Sequence, residues 1–484
     1  MSLLIPGTNS IKDTGYDVAN SARFDAGNTE YIQRTYGTPT NAKIFGLSWW
    51  IKMSGDPVSG TGQFDLWGER TDSSNRVFMG IDGVGQFDFF EKNGGSNVLE
   101  LETSRLFRDN AAWYHFLLLG DSTQSTASNR IKLYVNGVQE TSFVTETYPS
   151  QDYEFRLAVN STKYFGRIGL GSQLSNNYFD GYLAEVAFVD GTVTAHTDYG
   201  EFDSDTPNVW KPKDISGLNF GNNGFHLDFE DSSALGNDVS GNDNDFTVNN
   251  LTAVDQSTDT CTNNFATLNP LVTYPAAPPV HSEGNLQVVT VNADPGYFGS
   301  SSTIGVTQGK WYAEFKPTNS TSGTPYEIGV SIDPAEFARN GATASYTYDS
   351  NIWGYYAVSG NVYHGGGSSS YGSSYTTNNI IGVFLDLDNH KLYFSVNGVI
   401  QNSGTGISLT TGKTYYFIVS DLGGGVTTYQ ANFGGPPFSI TSSKTDANGY
   451  GNFEYSPNDD GGSSFDGAAK NFYALNTKNL AEFG

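Results

Sequence analysis

The sequence predicts an all-β protein: two antiparallel β-sandwich domains joined by an irregular connector. Three observations predict it. One phrase occurs twice, as Ile131-Lys132-Leu133-Tyr134-Val135-Asn136-Gly137-Val138 and as Lys391-Leu392-Tyr393-Phe394-Ser395-Val396-Asn397-Gly398-Val399. In each, apolar side chains alternate, which puts Ile131, Leu133 and Val135, or Leu392, Phe394 and Val396, on one face of a half-buried strand. Asn-Gly then accepts the positive φ of a tight turn, so each phrase is a strand entering a hairpin. The composition is the second observation. With 57 glycines and 16% charged residues among 484, against about 25% charged in an ordinary globular chain, the surface falls to Ser, Thr, Asn and Gly, and many short strands with turns are favoured. Third, short apolar runs recur at regular spacing with turn residues between them, the pattern of a sandwich.

Taken in order, residues 1–20 form an extended arm broken at Pro6-Gly7 and Thr14-Gly15. Strands are expected over 22–34, 45–53, 64–67, 77–81, 86–91, 113–119, 131–135, 165–170 and 178–189. Residues 201–280 change character: Pro207, Pro212, Pro270, Pro275, Pro278 and Pro279 punctuate a stretch rich in Asp and Asn. It reads as a connector rather than a third core, and its length requires part of it to pack on a neighbour. Strands resume over 310–315, 328–331, 353–356, 381–386, 391–396, 415–420 and 431–434, and 441–484 form a C-terminal extension. Asn264-Phe265-Ala266-Thr267-Leu268-Asn269 and Asn471-Phe472-Tyr473-Ala474-Leu475-Asn476 share the form Asn-Phe-x-x-Leu-Asn. This echo is a shared docking turn, or a pair of segments that each pack on a matching site outside the chain.

A net charge of −26 argues against nucleic acid, whose phosphates need clustered Lys and Arg, and against an anionic membrane surface. The single cysteine, Cys261, excludes an intramolecular disulfide and is expected to be a packing residue. The N-terminus carries no basic region followed by an apolar run, so neither a secretory signal nor a membrane span is expected.

Ser21-Ala22-Arg23-Phe24, Phe45-Gly46-Leu47-Ser48-Trp49-Trp50-Ile51-Lys52, Trp113-Tyr114-His115-Phe116, Leu133-Tyr134-Val135-Asn136-Gly137 and Gly181-Tyr182-Leu183-Ala184-Glu185-Val186 occur in that order. Over residues 21–200 this resembles the concanavalin A-like, laminin-G-type jelly roll. Lys310-Trp311-Tyr312-Ala313-Glu314-Phe315, Ile328-Gly329-Val330-Ser331, Trp353-Gly354-Tyr355-Tyr356, Ile381-Gly382-Val383-Phe384-Leu385-Asp386, the second hairpin, and Tyr415-Tyr416-Phe417-Ile418-Val419-Ser420 follow. Over residues 281–440 this resembles the SPRY (B30.2-type) sandwich, which implies partner binding through loops without catalysis. The whole arrangement is similar to structural proteins of marine tailed bacteriophages, fibre-like or decorating. That resemblance implies a location in the virion, contacts with other virion subunits or a host-surface polysaccharide, and a homo-oligomer, with a trimer by analogy to fibres.

The candidate ligand-binding residues are Tyr356, Tyr363, His364, Tyr371 and Tyr375, gathered around a Gly/Ser-rich stretch. Tyrosine gives rigid contact area while Ser and Gly adapt. Trp353 and Tyr355 alternate and are expected in the core, whereas Tyr363, Tyr371 and Tyr375 are expected to be exposed. Asp238, Asn242, Asp243 and Asp245 are dense in oxygen ligands and fit calcium, though a solvated acidic turn explains them better. No cofactor is otherwise expected: the histidines lack zinc spacing, and Gly365-Gly366-Gly367 lacks the lysine and helix of a phosphate loop.

Two rivals differ in class. A free soluble lectin would bind sugar without a particle. A glucanase of the jelly-roll type would need paired carboxylates, for which Glu100/Glu102 and Asp386/Asp388 are the candidates. Both pairs lack the third alternating acid of such enzymes, and a non-enzymatic protein is expected.

Overall fold

The computed structural model describes residues 15–55, 64–167, 178–273, 278–291, 297–321, 326–335, 350–422, 425–458 and 464–484. The expected arm lies outside them up to residue 14, as does the part of the 165–170 strand beyond Arg167. The protein is all-β, as expected, with several antiparallel sheets. The chain divides into two compact units, Asp13–Thr262 and Asn263–Gly484 with Met1–Lys12.

The first unit stacks two eight-stranded sheets. One runs, edge to edge, Val138–Gln139, Ile131–Val135, Trp113–Asp121, Ile44–Met53, Gly181–Asp190, Ser21–Phe24 and Gln256–Ser257, with Phe225–Leu227 also on Gly181–Asp190. The other runs Phe143–Thr147, Ser96–Leu106, Gln86–Asn93, Arg76–Ile81, Phe64–Arg70, Thr162–Phe165, Tyr31–Thr35 and Thr247–Asn249. Alternation decides what faces inward. Leu47, Trp49 and Ile51 meet Phe87, Phe89, Leu99 and Leu101 in one core, and Trp49 stacks on Phe116 with ring centroids 5.5 Å apart.

The expected connector is corrected here. Residues 201–262 are part of the first sandwich, and the boundary falls at 262/263 rather than at 200 and 280. Its short strands pair with Val186–Phe188, Tyr31–Gln33 and Ser21–Ala22. Phe225, Leu227, Phe229, Leu235, Phe246 and Leu251 fill the core. Buried Asp259 pairs with buried Lys52 at 2.7 Å and accepts the Trp113 indole N–H at 3.0 Å. Prolines and turns interrupt the period-two pattern, so segments that complete a sheet look like loop.

The second unit holds a nine-stranded sheet whose path is Val280–Ser282, Gln287–Val289, Thr427–Asn432, Lys310–Ser320, Ile381–Asp386, Lys391–Val396 and Val399–Ile400. A six-stranded sheet faces it: Tyr297–Ser301, Tyr416–Leu422, Tyr326–Ser331, Ile352–Tyr356, Asn361–His364 and Gly367–Ser370. Phe315, Val383, Phe394, Phe417 and Trp353 share the core between them. The C-terminal extension folds back onto this unit. Tyr473–Ala474 runs parallel to Lys310–Ser320, and the helix Thr477–Phe483 starts at Asn476, whose side chain accepts the Asn479 N–H.

The two Asn-Phe-x-x-Leu-Asn segments meet each other rather than separate sites. Phe265 bridges antiparallel to Asn476, and the Ala266 N–H donates to Leu475 O at 3.0 Å. Phe265 and Phe472 enter one aromatic cluster. The echo is a clasp that ties the start of the unit to its end.

The repeated hairpins form as the sequence requires. Asn136 and Asn397 both have φ +48°, followed by Gly137 at +75° and Gly398 at +77°. Each asparagine side chain accepts a backbone N–H from the preceding strand, His115 at 2.7 Å and Ile380 at 2.8 Å. Each glycine is roofed by a later ring, Trp210 over Gly137 and Tyr455 over Gly398. Gly137→Ala is therefore expected to destabilise the first unit by roughly 2–4 kcal/mol, combining a left-handed backbone cost with overlap against the indole. Gly94→Ala, at φ +58° with open space around its Cβ, should show the backbone part alone, about 1–2 kcal/mol. Urea unfolding of both variants checks the difference.

Candidate functional site

The site is an edge cavity of the second unit. Ile352–Tyr356 and Asn361–His364 pair antiparallel, with Tyr355 opposite Val362 and Gly354 opposite Tyr363. Gly365 and Gly366 follow, at φ +59° and +87°. Two consecutive positive φ values make a tight hairpin turn, and Gly367–Ser370 returns as a fully exposed edge strand. The stretch expected to be an adaptable loop is a hairpin, and its Gly-Gly pair is the signal that could have shown this.

Trp353, buried to within 1%, stacks on His364 with centroids 4.0 Å apart and 14° between planes. The His364 Nδ1 lies 2.9 Å from the Ile352 carbonyl. A carbonyl only accepts, so Nδ1 carries the proton and a neutral ring keeps Nε2 as its acceptor. These residues, Gly365 to Gly367, Ser368, Ser369, Tyr371, Ile407 and Ser408 line a cavity of about 390 Å³. The described lining residues give an aromatic floor, accessible backbone at the glycines and hydroxyls at the rim, and include no Lys, Arg, Asp or Glu; the Lys391 ammonium reaches the rim Ser408 hydroxyl at 3.3 Å. Such a surface suits an uncharged polyhydroxy ligand, whose ring faces pack on aromatics while its hydroxyls hydrogen-bond.

The five expected residues do not form one cluster. His364 and Tyr371 line the cavity. The expectation that Tyr371 and Tyr375 are exposed is corrected: they are 7% and 3% exposed. Tyr375 donates its hydroxyl to the Tyr355 carbonyl at 2.7 Å, and Tyr371 meets Phe394 edge-on. Both pack beneath the hairpin because the sandwich needs large rings at its open end. Tyr356 and Tyr363 are half-buried on the opposite face of the sheet, edge to face at 5.3 Å. Sequence reasoning missed Ile407 and Ser408, which reach the cavity through non-local pairing with Lys391–Leu392.

The calcium candidates do not converge. Asp238 spends its oxygens on the N–H groups of His226, Ser240 and Asn244 at 2.8–2.9 Å and on the Ser240 hydroxyl. Asp245 accepts the Asp238 N–H at 2.9 Å, and the Asn242 amide donates to Gly221 O and Gly224 O. Asp243 holds the left-handed turn at φ +56°. Among the described residues no group of three or more His, Cys, Asp or Glu could hold a metal. The run closes turns, as short Asp and Asn side chains do.

Of the acid pairs, Asp386 binds Lys310 at 3.1 Å and the Asn389 N–H, while Asp388 accepts the Gly309 N–H at 2.9 Å. Glu102 stands opposite Asp88 across two strands and accepts the Thr145 hydroxyl. Burial first, then Glu100 and Glu102, push Asp88 up to about 7. Asp65 and Asp88 flank Gly80 in register, and burial pushes Asp65 up to about 8. Acids thus gather across neighbouring strands rather than along one. The buried Ser48–His115 contact is not a nucleophile with its base. His115 Nδ1 accepts the Trp210 indole N–H at 3.0 Å, so Nε2–H faces Ser48 at 2.9 Å. Burial holds His115 down to about 3, so it stays neutral.

Residues 26–197 match the concanavalin A-like lectin/glucanases superfamily, in its laminin-G-type model. Residues 310–435 match the SPRY domain. Solved structures similar to this chain include the SPRY domain of human HERC1, 20% identical, covering 34% of this chain and 96% of that one with TM-score 0.28. The TRIM65 PSpry domain is 18% identical over 34% of this chain and 89% of its own, TM-score 0.28. The heptameric SAP-like pentraxin of Limulus polyphemus is 13% identical over 38% and 82%, TM-score 0.27. No curated protein matches the chain. A concanavalin A-like sandwich and a SPRY domain in one chain indicate a binding role.

Proposed function

We propose that this two-domain binding protein is a non-enzymatic structural component of a tailed-phage particle that attaches to a host-surface glycan. The observation that carries the attachment is the cavity at the SPRY edge hairpin, whose described lining has no charged side chain, with His364, backed by buried Trp353, as its stacking surface and Ser368, Ser369 and Ser408 as hydrogen-bonding rim. The particle assignment rests on the sequence resemblance to phage fibre-like and decorating proteins. The low charged fraction of 16% and net charge of −26 suit a crowded, soluble assembly. A single shallow site binds weakly, and copies in a homo-oligomer or on a particle raise avidity without new contacts.

The test has two parts. Mass spectrometry of purified particles should find the chain; its absence from particles, with sugar binding kept, would favour the free lectin. Neutral glycans immobilised on an array should retain the protein, and His364→Ala should weaken retention roughly tenfold or more. The acids around Asp88 give the glucanase reading its one foothold. Release of reducing ends by the wild type, lost in Asp88→Asn, would replace the non-enzymatic reading.

A further inference from the structure

A second cavity, of about 340 Å³, opens on the outer face of the first unit beside the repeated hairpin. Lys132 and Tyr134 alternate with Ile131, Leu133 and Val135, which are in the core, so both point to this outer face. The chain beyond Gly181–Asp190 lays His196 on Tyr134, ring centroids 4.9 Å apart and 8° between planes. Trp210 stacks behind His196 at 6.1 Å and fixes it. Leu119, opposite Lys132 in register, gives an aliphatic floor.

We infer that this cavity binds a carboxylate-bearing sugar, a uronic-acid-type ring packed along the Tyr134–His196 wall with its carboxylate on the Lys132 ammonium. The Lys132 ammonium makes no hydrogen bond or ion pair among the described residues. Asp121, the one acid among the described lining residues, forms no ion pair with it. The Asp121 oxygens are taken by the Thr123 N–H at 3.1 Å, the Thr123 hydroxyl at 2.5 Å and the Gln124 amide at 2.6 Å. An unpaired ammonium beside an aromatic wall offers a charge-assisted hydrogen bond to an anion and a packing surface to a ring. The volume lies within the range of about 300–1,000 Å³ of small-molecule sites. On a chain of net charge −26, such a local cation is what an acidic ligand requires. This site goes beyond the proposed attachment: it lies in the other unit and selects for charge, where the described lining of the SPRY cavity has no charged side chain.

Titration calorimetry on the full chain tests it, with a glucuronic-acid disaccharide and its neutral glucose counterpart at low salt. The acidic sugar is expected to bind and the neutral one to bind at least roughly tenfold more weakly, with the preference shrinking as salt rises. Lys132→Met keeps the alkyl stem and the fold and should remove the preference; Tyr134→Ala should weaken the binding of the acidic sugar. No binding of the acidic sugar, equal binding of the neutral one, or an unchanged preference in Lys132→Met would each overturn the proposal.

Discussion

Glu314→Ala is expected to cost the second unit roughly 3–5 kcal/mol, a large share of the stability of an ordinary domain. Glu314 is fully buried in the central strand Lys310–Ser320. Its carboxyl accepts four donors: the Tyr312 hydroxyl at 3.0 Å, the Asn432 amide at 3.0 Å, and the backbone N–H groups of Glu454 at 3.1 Å and Tyr455 at 2.7 Å. Alanine leaves the Tyr312 hydroxyl and the two backbone N–H groups without this acceptor in a dry interior, while Asn432 keeps only the Asn452 carbonyl, and each orphaned donor costs about 1–3 kcal/mol before relaxation. Burial pushes the Glu314 carboxyl up to about 7, and the four hydrogen bonds only partly oppose this. Glu314→Gln keeps an acceptor oxygen and should lose about 1–2 kcal/mol. Hydrogen exchange of the amides in Lys310–Ser320 measures both. An alanine variant within about 1 kcal/mol of wild type would show that the C-terminal extension is not held through this carboxyl.

That extension also shows what the sequence could and could not reveal. The hairpins at Asn136-Gly137 and Asn397-Gly398 are local: alternation and turn chemistry lie within a few residues, so strand, face and turn were all legible. The fold class followed from them. The role of 201–262 was not legible, because strands as short as Phe225–Leu227 and Gln256–Ser257 have no period to detect and gain their meaning from partners far along the chain. The Asn-Phe-x-x-Leu-Asn echo was visible as a repeat, but only the pairing of Phe265 with Asn476 shows that the copies clasp each other. In the candidate site, the aromatic neighbourhood points to His364, which lines the cavity. Tyr371 and Tyr375 were misplaced because a Gly/Ser-rich stretch suggests exposure, whereas rings at the open end of a sandwich are drawn under it to close the core.

Glu327→Met is expected to stabilise the second unit at pH 8 by about 1–4 kcal/mol, the range found when buried ionic groups give way to packed apolar volume. Glu327 is fully buried, and among the described residues neither carboxyl oxygen has a hydrogen-bond partner. Gly354 lies beneath it, close enough that a Cβ there would come within 2.7 Å of Oε2. Burial alone pushes the carboxyl from 4.5 up to about 8. The sign follows from proton binding. Between those two values the folded chain holds a proton that the unfolded chain has released, so stability is fully present below 4.5 and is lost as pH rises through about 8. Glu314, raised to about 7, acts in the same direction. Half-buried His281, pulled down to about 4 by desolvation, opposes both, since the unfolded chain takes up its proton first as pH falls below the ordinary 6.5. Methionine removes the Glu327 contribution and leaves the other two, so the gain over wild type should be larger at pH 8 than at pH 5. Urea unfolding at both pH values separates the possibilities. A gain equal at the two pH values would mean the carboxyl does not titrate in this window. A loss at both would mean that its shape, not its charge, is what the sheet has kept at this position.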